Sequence, residues 1–213
     1  MFIQNLFENP RFFFAVLIVV VVSICLHELA HGLAAVRLGD RTPIQQGRIT
    51  LNPLVHMGPM SIAFLLIAGI AWGAMPIDRS RLRGRYAESL VAAAGPLTNI
   101  ALAIACAVAL GFWQRASGGG EPEGPAGNAK YLLMIGAYCN FFLAMFNLIP
   151  WPPLDGAHIL GNLNPSYGRF LDSAATSGAA IMGFFVLFFV AGRFLAPAAM
   201  NATTRLLELV RGW

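Results

Sequence analysis

The sequence predicts an all-α polytopic membrane protein of about five to six membrane segments, counting a re-entrant one, with a small β-hairpin. Three observations carry this. Of the 213 residues 57% are hydrophobic and 11% charged, against about 25% charged in ordinary soluble domains. Mean hydropathy is +0.66. Apolar runs close to the roughly 20 residues that span a bilayer recur along the chain, separated by Gly, Pro and Arg clusters. They imply one membrane-embedded domain over residues 1–213, with its core at 11–196 and an interfacial helix at 197–213.

The first helix is expected over residues 11–37, FFFAVLIVVVVSICLHELAHGLAAV and its flanks. At about 1.5 Å per residue it spans with some tilt. It does not read as a cleaved leader: Glu8 precedes the first arginine, Arg11, and no small-x-small site follows the apolar run. Residues 37–53 are broken by Gly39-Asp40, Pro43 and Gly47. Ile44, Ile49 and Leu51 are strand formers among polar residues, hence the β-hairpin. Residues 54–75 are apolar but interrupted by Gly58, Pro59, Gly69 and Gly73. Arg79, Arg81, Arg83 and Arg85 follow, as the positive-inside rule predicts for a cytoplasmic loop.

Further helices are expected at 86–113 and 129–146, joined by the Gly/Pro/acidic turn 117–128. A polar connection with Asn162, Asn164, Arg169 and Asp172 leads to a helix at 177–195. From Ala198 onward Leu206, Leu207, Leu209, Val210 and Trp213 alternate with Arg205, Glu208 and Arg211, the pattern of an interfacial helix. With the arginine loop cytoplasmic, residues near 155 return to the cytoplasmic side. For them to meet the end of the first helix, that helix must run inward too. Residues 54–75 then make an even number of crossings, as a re-entrant segment does where protein or a water-filled cavity covers its backbone.

The net charge of +4 follows from that loop. No nucleic-acid recognition motif accompanies the arginines, so nucleic acid is not an expected partner. Cys25, Cys106 and Cys139 lie in apolar runs with no CxxC spacing; they read as buried small hydrophobes.

The chemistry is concentrated in His27, Glu28 and His31. HExxH places two histidines one helical turn apart on one face, the spacing that binds one zinc ion. The adjacent glutamate suits a general base acting on metal-bound water. Ionisable groups inside a membrane span are costly and mark function. A catalytic zinc needs three protein ligands and an open position, so a third ligand must come from elsewhere. Asp155, in PPLDG, is the best placed acid; Asp172, Asp78 and Glu88 are weaker candidates. Asp155 also suits a helix cap. Asn147 can be read as a helix end before Pro150, Asn99 as an interhelical bond or a group near the site, and His56 and His158 as structural or interfacial groups.

HELAH, AAAGPLTN and FNLIPWPPLDGAHIL together resemble the site-2 protease family of intramembrane zinc metalloproteases, and GDRTPIQQGRITLNPLVHMGP is similar to the hairpin region of its short bacterial members, which lack an extra soluble domain. The resemblance covers about residues 27–160. It implies His27, His31 and Asp155 as Zn2+ ligands, Glu28 as catalytic base, and Asn147 as support for the substrate or its oxyanion. It implies hydrolysis of peptide bonds in membrane-spanning substrate helices, in regulated intramembrane proteolysis or clearance of signal-peptide remnants. The setting would be a multi-pass protein of the cell membrane, with the active site toward the cytoplasm. A substrate helix must unwind to be cut, and the edge at Ile49, Thr50 and Leu51 suits pairing with the unwound stretch. Two departures stand out. His56 is followed by Met57-Gly58-Pro59, where the family often reads HxDPxG, and DGG is here DGA, with Ala157.

The competing classes are a non-catalytic membrane metal-binding protein and a helix-binding scaffold. A transporter has no need of Glu28 beside its first ligand, and inverted repeats are not visible. An intact Glu28 argues against a scaffold.

Overall fold

A computed structural model describes residues 1–117, 124–175 and 178–212. Its principal helices are α1 (Pro10–Arg37), α2 (Gly58–Ala68), α3 (Ala87–Ala116), α4 (Gly124–Asn147), α5 (Asp155–Leu163), α6 (Pro165–Ala175) and α7 (Gly178–Arg211). Among the described residues four segments are long and apolar enough to cross a membrane: α1, α3, α4 and Met182–Arg211 of α7. Residues 118–123 of the expected acidic turn, and Trp213 of the tail, lie outside the described residues.

Each boundary has a local cause. Asn9 caps α1 by accepting from the Phe12 amide at 3.1 Å, with Pro10 preset as first residue. Gly39 follows its end with φ +109°, a backbone that favours glycine. The bundle packs through small residues. Ala103, Ala107 and Ala137 are fully buried, and a Cβ at Gly136 would lie 2.8 Å from Cys106 Sγ, where α3 and α4 approach closely. Ala15 and Val19 of α1 pack on Ile135 and Cys139 of α4.

Helix α2 has 11 residues, about 16 Å long, about half of a ~30 Å hydrocarbon core. Leu65 packs against Ile24 and Met57, and Gly69 abuts Phe2, which stacks on Phe13 near the start of α1. The chain then returns without regular structure. Asp78 N donates to Asp40 Oδ2 at 2.8 Å and Arg83 N to Leu38 O at 2.8 Å. The two ends of residues 54–75 thus lie together, with Ala74 N donating to His56 O at 3.0 Å, near the end of the bundle where α1 finishes.

The β-hairpin expected over 37–53 is not found; no strand occurs among the described residues. Local donors and acceptors replace the ladder. Asp40 Oδ1 accepts from Thr42 N at 2.8 Å and Thr42 Oγ1 at 2.6 Å, setting up one helical turn at Thr42–Gln45 with Pro43 in its first turn. Thr50 N donates to Arg48 O, and Thr50 O bonds His56 Nε2 at 2.7 Å. Backbone groups committed to turns and a side chain do not pair as strands.

The tail also differs from the expected separate interfacial helix. It continues α7 without a break through Pro197. Leu207 packs with Ala107, Leu110 and Ala137, and a Cβ at Gly111 would lie 2.9 Å from Val210 Cβ. The buried stripe Ala199, Thr203, Leu207, Val210 is thus turned to the bundle, with Arg205 and Glu208 exposed on the other side.

Candidate metal centre

The helical period of α1 puts His27 and His31 on one face, and their Nε2 atoms lie 3.0 Å apart. Asp155 approaches from α5, with Oδ2 3.2 Å from His27 Nε2 and Oδ1 3.2 Å from His31 Nε2. The three residues form the one group of ligand-type side chains found among the described residues within 4.8 Å of one another. Asp155 is the first residue of α5 and its carboxylate does not cap the helix; the helix N-terminus favours its negative charge. Gly156 is required beside it, because a Cβ there would lie 2.6 Å from Ile149 O and nearer still to Leu148 O.

The donor set fits a metal ion. His31 Nδ1 lies 2.7 Å from Val91 O, a carbonyl that only accepts, so Nδ1 carries the proton and Nε2 a lone pair. His27 Nδ1 lies 2.6 Å from Asn99 Oδ1 and is assigned likewise. Two imidazole lone pairs and a carboxylate therefore converge, and buried Asp155 Oδ2 accepts no hydrogen bond among the described residues. Such a cluster repels itself unless a cation sits within it. Ligand atoms on a tetrahedral zinc at about 2.0–2.1 Å stand about 3.3 Å apart, close to the separations seen. Room for the ion comes from Gly95 of α3: a Cβ there would lie 2.5 Å from His27 Cε1 and Nε2, and closer still to His31 Nε2.

These groups line a cavity of about 670 Å³, together with Glu28, Asn99 and Asn147. Its walls are mainly apolar, including Phe142, Phe146, Phe184 and Phe188. Residues 71–75 cross it in an irregular stretch, and a Cβ at Gly73 would lie 2.6 Å from Glu28 Cγ and closer still to Oε1. Asn147, at the end of α4, donates to Leu143 O at 3.0 Å; its second N–H is not used in that bond. Arg79, Glu88 and His158 meet at the rim: Arg79 pairs with Glu88 at 3.1 Å and donates to His158 Nδ1 at 2.8 Å. Burial, and then the Arg79 guanidinium, push His158 below the usual imidazole range, so the ring is neutral and can accept.

The structure thus brings together His27, Glu28, His31, Asn147 and Asp155. Ile49, Thr50 and Leu51 do not line the cavity; Ile49 lies behind it, its Cδ1 beside Gly32 where Met75 also packs. Asp78 binds Arg81 at 2.9 Å, away from the centre, and Glu88 stays at the rim. The side chain of Asp172 lies outside the described residues. Sequence reasoning missed the roles of Gly73 and Gly95 at the site, and read Asn99 first as an interhelical bond, with a role near the site as the alternative. AAAGPLTN was the available signal for Gly95 and Asn99, since it puts an unbranched residue and an amide one turn apart on an apolar helix.

Comparison with known proteins agrees with this geometry. Residues 15–126 and 121–190 match the sequence model of peptidase family M50. A Bacillus subtilis protein named "Putative zinc metalloprotease YwhC" is 36% identical over 177 residues, covering 80% of this chain and 78% of its own. Rip2 of Mycolicibacterium smegmatis, named in the same way, is 32% identical over 173 residues, 76% of this chain and 62% of its own. Rip2 of Mycobacterium tuberculosis is 31% identical over 185 residues, 83% of this chain and 64% of its own. The chain therefore spans somewhat less than two thirds of the length of the Rip2 proteins. No solved structure matches it significantly.

Proposed function

The chain belongs to peptidase family M50 and is a zinc metalloprotease of the membrane, a short member of the site-2 protease family; from that premise we propose that it hydrolyses peptide bonds inside the membrane-spanning segments of other proteins or of signal-peptide remnants. The observation that supports this best is placement: Glu28 and the His27, His31 and Asp155 cluster line a largely apolar cavity in a bundle of membrane-spanning helices.

In this reading His27, His31 and Asp155 hold Zn2+, which when bound supplies a Lewis acid and acidifies water at the site. Glu28 takes the water proton on its carboxylate and returns it to the leaving amine. The Asn147 amide donates to the carbonyl oxygen as negative charge develops there. The apolar walls hold the unwound substrate and limit water. The turn bonds engage the Thr50 backbone, so it is the Ile49 and Leu51 backbone groups on either side that recruit the unwound substrate by pairing, next to the stretch that passes over Glu28. The site opens toward the cytoplasm, the side to which Arg79, Arg81, Arg83 and Arg85 assign their loop.

The test compares wild type and Glu28→Gln on a panel of transmembrane peptides in detergent, with zinc content measured for both. Cleavage by wild type alone at equal zinc is expected. Cleavage at the wild-type rate by Glu28→Gln would refute the assignment of the base.

A further inference from the structure

The polar groups behind the two histidines are unlike. His31 Nδ1 meets a main-chain carbonyl, Val91 O, which no substitution of a side chain can remove. His27 Nδ1 meets a side chain, Asn99 Oδ1, at 2.6 Å. The Asn99 amide is itself held: Nδ2 donates to Asn140 Oδ1 at 2.8 Å, and Asn140 Nδ2 donates to Gly136 O at 2.9 Å. Asn99 and Asn140 are almost wholly buried, at 1% and 2% exposure. One lies on α3 and the other on α4, while His27 lies on α1.

The chain of bonds has one consistent direction. It ends on Gly136 O, which can only accept. Asn140 must turn its Nδ2 there, so its Oδ1 faces Asn99. Asn99 must then offer Nδ2 to Asn140 and Oδ1 to His27. His27 is left with its proton on Nδ1 and its lone pair on Nε2, the form that binds a metal. Reversing any one amide sets two acceptors or two donors face to face.

We propose that Asn99, backed by Asn140, is a positioning residue for the metal centre: a relay of two side-chain amides that fixes the tautomer and ring orientation of His27. The relay rests on the reading that His27, His31 and Asp155 hold the zinc. Groups that orient a ligating histidine from behind typically account for about 10–100-fold in metal affinity.

The test measures zinc affinity of the full chain in detergent by competition with a chromophoric chelator, for wild type, Asn99→Leu, Asn99→Asp and His27→Ala. Leucine keeps the volume and removes the acceptor; aspartate keeps the acceptor and adds a buried charge. A relay predicts that Asn99→Leu weakens zinc about 10–100-fold, while Asn99→Asp stays within about tenfold of wild type. A packing role predicts the reverse order, because leucine suits an apolar bundle and a carboxylate does not. Wild-type affinity in Asn99→Leu, or equal losses in both variants, would overturn the relay. Should Asn99→Leu not fold, Asn140→Leu replaces it; a smaller loss is expected there, and unchanged affinity overturns the proposal. His27→Ala separates the two layers: zinc kept in it refutes the ligand set, whereas zinc lost in it but kept in Asn99→Leu refutes only the relay.

Discussion

Alanine at position 95 tests whether the metal centre is built as described. The added Cβ would stand 2.5 Å from His27 Cε1 and Nε2, where ordinary contact begins near 3.4 Å, so the ring must retreat by about 0.9 Å (3.4 minus 2.5). Metal–ligand distances tolerate only about ±0.2 Å. Neither ring can retreat and keep its Nδ1 bond to Asn99 or Val91. Zinc affinity should therefore fall by at least about 100-fold, the upper end for a change behind the ligands, or about 2.7 kcal/mol. The backbone effect has the opposite sign, since Gly→Ala inside a helix gains about 1 kcal/mol in propensity, and Gly95 is helical. With a chelator present the rings can swing aside, but doing so breaks the buried Nδ1 bonds at about 1–3 kcal/mol each, which offsets the propensity gain, so the metal-free variant should melt at or somewhat below wild type. Competition with a chelator and thermal unfolding in detergent read the two effects separately. Wild-type zinc affinity in Gly95→Ala would refute the placement of both histidines.

Three further outcomes follow from the same geometry. Gly73→Ala should push the Glu28 carboxylate out of place, cutting peptide turnover at least about tenfold, within the reach of one general base, while zinc content is unchanged; an active variant would show that residues 71–75 do not constrain the base. Ile49→Pro removes a backbone donor from the proposed edge and should lower turnover severalfold at full zinc occupancy, with undiminished cleavage counting against substrate pairing there. Asp40 gives a pH dependence. Burial opposes its ionisation, but the Thr42 hydroxyl and the Thr42 and Asp78 amides outweigh that and hold its carboxyl below the usual range. A depressed folded value means that its contribution is complete above the unfolded value of about 3.9 and is lost as pH falls through the folded one. Wild type should lose melting temperature over that acid window more steeply than Asp40→Asn; parallel curves would exclude the clamp.

The sequence by itself determined the membrane class and the HExxH face; it offered Asp155 as the best placed of several acids, either ligand or helix cap, and the tertiary structure brought it to the two histidines. Long apolar runs and the 3.6-residue period are local properties, so His27 and His31 share a face in any helix that forms there. The Gly and Pro breaks of residues 54–75 likewise marked an interrupted apolar segment, and α2 within it is only 11 residues long. The hairpin was misread because β-propensity says nothing of competing acceptors: Asp40, His56 and a local turn took the backbone groups that a ladder needs. The tail was legible as amphipathic, but not which surface its apolar stripe would meet. Only tertiary structure decided that this stripe faces α3 and α4, that glycines 73 and 95 make room for a carboxylate and a metal, and that Asn99 stands behind His27. Those contacts join residues 72 and 41 positions apart, and no periodicity within one helix specifies which face of another will pack against it.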